Sequence, residues 1–194
     1  MKIQICDKHS AKIGFGISSE SKIVVIGTSG CGKSTLANSI SKKLMIKDIE
    51  LDSLFWKKNW QQSETEEFRN RIENCISNKS GYVIHGNYNK VRDLTWGKSN
   101  ILIWLDYSRS IVMYRVIKRT FKRILTKEKL WNDNIETLRS SLFAKDSIIL
   151  WSWKTYRLRR SQYKNLNTHN TYGIEKIIIV KKPGNIKYLL NSFT

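Results

Sequence analysis

The sequence predicts a three-layer α/β domain, a parallel sheet of five strands covered by helices. Three observations predict it. Short β-branched runs alternate with stretches of helical periodicity. A glycine-spaced loop joins the first full run to a helical pattern. The 194 residues, 40% hydrophobic and 26% charged, suffice for one globular core without disulfide or metal staples.

The expected strands, in chain order, are "KIVVI" (22–26), "KDIEL" (47–51), "GYVIH" (81–85), "ILIWLD" (101–106) and "KIIIV" (176–180). Ahead of them, residues 1–20 form an N-terminal extension whose run "KIQIC" suits either an extra edge strand or a loose arm. Between the first two strands, Leu36, Ala37, Ile40 and Leu44 recur at helical spacing. Between the second and third, Phe68, Ile72, Cys75 and Ile76 predict an amphipathic helix, opened by a capping box of Ser63 and Glu66. Residues 111–125 alternate Val112, Val116, Ile117, Phe121 and Leu125 with a polar face of Arg115, Lys118, Arg119, Lys122 and Arg123. Two further helical patterns, "IETLRSSLF" and "SIILWSWKTYRLRRSQY", precede the last strand. The organisation is one domain over 21–194, with a basic helical region at about 107–164.

The formal net charge is +19, and it is uneven: Arg109 to Lys164 hold fifteen Lys and Arg against four Asp and Glu. Such a surface attracts phosphates or polyanions, while lysine-rich composition alone gives the same excess. Cys6, Cys31 and Cys75 show no paired spacing and follow no signal-like segment, which predicts reduced thiols in a cytoplasmic compartment. The longest apolar runs have strand length, so no membrane span is expected.

Gly27, Gly32, Lys33 and Ser34 fit G-x-x-x-x-G-K-[ST], and Thr28, Ser29, Gly30 and Cys31 fill the loop, with Thr35 following. In this pattern glycines turn backbone N–H groups toward phosphates, the lysine reaches the β and γ oxygens, and the serine hydroxyl ligates Mg²⁺. The helix that starts there adds its positive N-terminal end. Its position between a β run and a helical run is the context the mechanism requires, so a nucleotide phosphate is the expected ligand. No N-K-x-D base-reading motif follows, which excludes the GTPase pattern.

The segments "IELDSLFWKKNWQQSETEEF", "GYVIHGNYNKVRDLTW", "ILIWLDYSRS", "YRVIKRTFKR" and "DSIILWSWKTYRLRR" resemble the adenylate-kinase-related P-loop proteins often labelled DNA topology modulation proteins. The resemblance covers about residues 22–190, with adenylate, shikimate and gluconate kinases as more distant relatives. It implies a P-loop NTPase sheet of nucleoside-monophosphate-kinase-like arrangement with a helical lid, ATP and Mg²⁺ as cofactors, and phosphoryl transfer to an unidentified acceptor. Asp52 then faces the acceptor, to orient or deprotonate a hydroxyl or to hold a metal-bound water; a helix cap is the plainer role for it. Trp56, with Phe55 and Trp60, walls an acceptor pocket or simply packs in the core. Asn87 and Tyr88 of "GNY" and Arg92 take acceptor-binding places, Arg92 through a bidentate phosphate contact. Lys33, Asp52, Arg115 and Arg119 are the expected catalytic residues, the two lid arginines, with Arg123 a turn further, sharing a helical face or forming a solvated one.

Two departures stand out. The family's third strand ends in an acidic residue that orients a Mg²⁺ water, where this chain has His85, a poor ligand for a hard cation. Asp52 or Asp106 is then the expected substitute, and an impaired, scaffold-like kinase is an alternative. Ser108 replaces a proline after the fourth strand. A different class of function also suits the basic segment: a nucleotide-regulated nucleic-acid-binding protein, with Arg157, Arg159 and Arg160 on phosphates and the interleaved aromatics on bases.

Overall fold

The computed structural model describes residues 1–135, 147–165 and 172–193. Its sheet has six strands, all parallel, in the order β1–β6–β5–β2–β4–β3. These are β1 (Lys2–Ile5), β2 (Lys22–Gly27), β3 (Lys47–Glu50), β4 (Tyr82–His85), β5 (Ile101–Leu105) and β6 (Lys176–Val180). The five expected strands are present, and the sixth corrects the count. Residues 2–5 pair with Lys176–Ile179, so the N-terminal run is an edge strand and not a loose arm.

The order puts β2 between β4 and β5, and the chain leaves β2 for β3, beyond β4, before returning to β4 and crossing to β5. That reversal opens a crevice at the C-terminal ends of the strands, where open α/β sheets bind ligands. The phosphate loop and the ends of β3 and β4 all lie there.

Strand alternation sorts the core onto two faces. Ile23 and Val25 of β2 join Ile103, Leu105 and Val180 in one cluster. Against it pack α2 (Lys33–Leu44), through Leu36, Ala37 and Ile40, and α6 (Arg109–Thr126), through Val112 and Val116. The short α1 (Lys8–Ile13) and α8 (Ile186–Asn191) complete that face with Ala11 and Leu189. On the other face Val24, Ile26, Ile84 and Trp104 meet Phe68, Ile72 and Ile76 of α4 (Thr65–Ile76) and Leu94 of α5 (Arg92–Thr95). Among the described residues the remaining α-helices are α3 (Leu51–Phe55) and α7 (Ile148–Lys164); α7 puts Tyr156 into the first cluster and Tyr163 into the second.

Two local expectations are corrected. Ser63 caps nothing: α4 starts at Thr65 after Glu64 with no side-chain cap. Ser63 is instead drawn inward, its N–H donating to Phe55 O and its Oγ to Leu54 O, because residues 56 and 62 close a small antiparallel turn. In α6 the inward stripe is Val112, Met113, Val116 and Thr120, whereas Ile117, Phe121 and Leu125 are exposed. The expected polar face divides accordingly: Arg115, Arg119 and Arg123 are half-buried and Lys118 and Lys122 face water. The helical pattern "IETLRSSLF" lies, after Ile135, outside the described residues.

Candidate active site

The site grows from the loop that follows β2. Gly27, Gly30 and Gly32 all have positive φ, at 148°, 77° and 97°, and Gly32 is the N-cap of α2. At Gly30 a side chain is doubly excluded, since a Cβ would stand 2.4 Å from Val116 Cγ2 as well as strain the backbone. Helix α6 therefore rests directly on the phosphate loop. Lys33 Nζ donates to Gly27 O (3.1 Å) and Thr28 O (3.0 Å), folding its charge over the loop. Cys31 is fully buried beneath it, and Ser34 and Thr35, in the first turn of α2, are exposed.

The arginines of α6 reach the same loop from above. Arg115 Nη1 donates to Cys31 O at 3.1 Å and Arg119 Nη2 to Ser29 Oγ at 3.4 Å. Arg123 pairs at 3.6 Å with Glu128 instead. The turn into α6 accommodates Ser108 without a proline: it takes φ −60° and ψ 152°, the extended backbone a proline would supply.

Below the loop, β3 and β4 present a second set of groups. Strand alternation puts Asp48 and Glu50 on one side of β3, and Glu50 stands in register with His85 of β4. Ser34 Oγ donates to Glu50 Oε1 at 3.2 Å, and Glu50 Oε2 accepts the Trp131 indole N–H at 2.8 Å. His85 is 3% exposed, its Nδ1 3.5 Å from Ser34 Oγ and its Nε2 3.2 Å from Asp48 Oδ1. Glu50 is thus the carboxylate beside the loop serine, a residue the family pattern does not single out.

Asp106, the other expected substitute for an acidic group at position 85, is already committed. It is buried, and Arg160 of α7 grips it with Nε at 2.6 Å and Nη2 at 3.0 Å, a bidentate pair.

Asp52 stands in the first turn of α3, where Tyr88 donates its hydroxyl to Asp52 Oδ1 at 2.5 Å. Burial, then the Asp52 carboxylate beside it, pushes the Tyr88 phenol up, so it stays protonated and donates. Its neighbour Asn87 turns the other way: Nδ2 donates to Gly27 O at 2.7 Å and Oδ1 accepts from Tyr163 at 3.0 Å. Consecutive residues of "GNY" therefore tie Asp52 and the phosphate loop together. Arg92 stacks its guanidinium on Trp96, 4.5 Å from the ring. Phe55 and Trp56 meet edge to face at 5.0 Å, Trp56 and Trp60 at 5.6 Å, and Trp60 and Trp131 at 6.3 Å. This aromatic row joins α3 to the segment after α6, and Asn132 and Asn134 donate to Trp56 O and Lys57 O across the junction.

Mg²⁺, the metal such loops use with nucleotide, fits what is present. Ser34 Oγ and a Glu50 oxygen are hard oxygen donors 3.2 Å apart at the loop's rim, an arrangement that suits a cation taking its other ligands from phosphates and water.

Among known proteins, no curated sequence matches the chain. In fold it is similar to a shikimate kinase from Acinetobacter baumannii in complex with shikimate (TM-score 0.51, 13% identity, 92% of each chain covered). It is likewise similar to a gluconokinase from Sinorhizobium meliloti 1021 (TM-score 0.50, 14% identity, 91% of each chain covered). At such identities the likeness establishes the α/β P-loop kinase-like fold alone. A family model described as ABC transporter matches residues 11–148, more than half the chain, across the phosphate loop, β3, β4 and α6. With the loop geometry, that match shows that the chain belongs to the ABC transporter family of P-loop NTPases.

Proposed function

We propose that this protein is an ATP-dependent phosphotransferase that moves the γ-phosphoryl group of ATP to a small hydroxylated acceptor, related to the adenylate-kinase-like topology modulation proteins. One observation carries the reading. Lys33, the Ser34–Glu50 pair, the Asp52–Tyr88 pair and the arginines Arg115 and Arg119 all border one loop cluster at the sheet's reversal point. A simple phosphate holder has no need of a carboxylate on the acceptor side.

In this reading residues 27–35 cradle the triphosphate, Lys33 leaving its loop carbonyls for the β and γ oxygens. Ser34 and Glu50 would hold Mg²⁺, which would supply charge neutralisation at the phosphates. Asp52, its Oδ1 engaged by Tyr88, offers Oδ2 to the acceptor hydroxyl and takes its proton. Arg115 and Arg119 exchange their loop contacts for the equatorial oxygens, where transfer spreads negative charge. Trp56 and Arg92 border the acceptor, and Asn87 keeps the loop in register with Asp52.

Two of the three arginines proposed for nucleic acid have partners within the protein, while Arg157 is exposed. Arg160 holds Asp106 and Arg159 stacks on Trp151 at 4.5 Å, so the phosphotransferase reading is preferred. The test is ATP consumption screened against nucleoside monophosphates, nucleosides, sugar acids and 5′-hydroxyl oligonucleotides. One acceptor class raises turnover, and Lys33→Ala lowers nucleotide affinity by about a hundredfold. Wild-type transfer in that variant overturns the assignment.

A further inference from the structure

Position 85 holds a histidine buried at the root of the site, with one ring nitrogen toward Ser34 and the other toward Asp48. Asp48 Oδ1 is itself buried and, among the described residues, has no hydrogen-bond partner, although His85 Nε2 lies 3.2 Å away. A buried carboxylate oxygen without a donor is costly, and the imidazole is the group at hand to relieve it. A small turn of the ring completes that bond and puts the proton on Nε2. Nδ1 is then an acceptor aimed at Ser34.

Ser34 needs such an acceptor. Its single hydroxyl proton now goes to Glu50. A cation held by Ser34 Oγ and Glu50 would take a lone pair from each oxygen, and the Ser34 hydroxyl, keeping its proton, would then donate to an acceptor other than that Glu50 oxygen. The only other acceptor bonded to Ser34 Oγ among the described residues is His85 Nδ1. We propose that Asp48 and His85 form a positioning pair: Asp48 sets the imidazole tautomer, and His85 Nδ1 accepts the hydrogen bond of the Ser34 hydroxyl so that a serine lone pair can face Mg²⁺. His85 then does the orienting work of the acidic residue it replaces without itself ligating the metal. The inference rests on the phosphate-loop reading above and extends it to residues outside the metal's own ligands.

The test measures affinity for a fluorescent ATP analogue with and without Mg²⁺ by titration. His85→Ala and Asp48→Ala are expected to weaken the Mg²⁺-dependent gain in affinity about tenfold, the size of effect seen when outer-shell partners are removed. Metal-free affinity stays within about twofold of wild type. His85→Asn, which sets an oxygen near the place of Nδ1, recovers most of the gain, whereas His85→Gln, whose oxygen falls near Nε2, does not. An unchanged Mg²⁺ dependence in His85→Ala, equal losses with and without metal, or Gln rescuing better than Asn each overturns the pair. If His85→Ala does not fold, the Asn and Gln variants decide alone. Retention of full nucleotide affinity in Lys33→Ala signals instead that the phosphate-loop reading has failed.

Discussion

Helices α2 and α6 both flank the phosphate loop, yet they answer to different rules. In α2 the periodic residues Leu36, Ala37, Ile40 and Leu44 are the ones buried, and the opposite side is polar. In α6 three of the five periodic apolar residues face outward, and arginines share the inward stripe with Val112 and Val116. The reason is the surface each helix meets. α2 packs on an apolar sheet face, where burial of each aliphatic side chain is worth about 2 kcal/mol. α6 packs partly on the phosphate loop, whose carbonyls and hydroxyls at Cys31 and Ser29 are partners for guanidinium and not for leucine. A helix over a polar loop is best served by long side chains that bury a stem and bond at the tip.

Four substitutions probe that contrast. Ile40→Ala in α2 removes a fully buried side chain and should cost about 3 kcal/mol in denaturant unfolding, with the midpoint falling and the slope unchanged. A cost near zero would mean that α2 is not the core helix it resembles. Arg119→Ala in α6 should lower the rate of transfer about a hundredfold while ATP affinity drops far less. Lys122→Ala, one turn round on the exposed face, should leave both within about twofold. Equal effects would show that the basic charge acts as a diffuse field and that the inward arginines have no special part. Smallest of all, Leu125→Ser, at a position 81% exposed, should change stability by less than about 0.5 kcal/mol. A large loss there would mean that the outer apolar side of α6 is covered in the working protein.

The same contrast explains how far the sequence can be read. Strands β2, β4, β5 and β6 are legible because apolar runs such as "KIVVI" and "ILIWL" have strand length and no internal polar residue, whereas β3, "KDIE", has only Ile49 buried. The phosphate loop is legible because its residue types answer to backbone geometry: positive φ at Gly27, Gly30 and Gly32 demands glycine whatever surrounds it. Asp52 and Tyr88 are legible only as neighbours in a pattern. Their hydrogen bond spans 36 residues of chain and depends on β3 and β4 lying side by side. Ser63 illustrates the opposite case, where a local motif with the right spacing loses to a tertiary turn that draws the serine inward. Glu50 carries no such mark, because a glutamate at a strand end has many ordinary roles.

By itself, then, the sequence determined the alternation of strands and helices and the phosphate loop, since these follow from side-chain period and backbone conformation within a few residues. Only the tertiary structure decided which carboxylate stands beside Ser34, that Asp106 belongs to Arg160, which arginines of α6 turn inward, and what His85 faces. Each of those is a contact between segments far apart in the chain, set by strand order and register, and no local pattern records which distant group will be brought within hydrogen-bond reach.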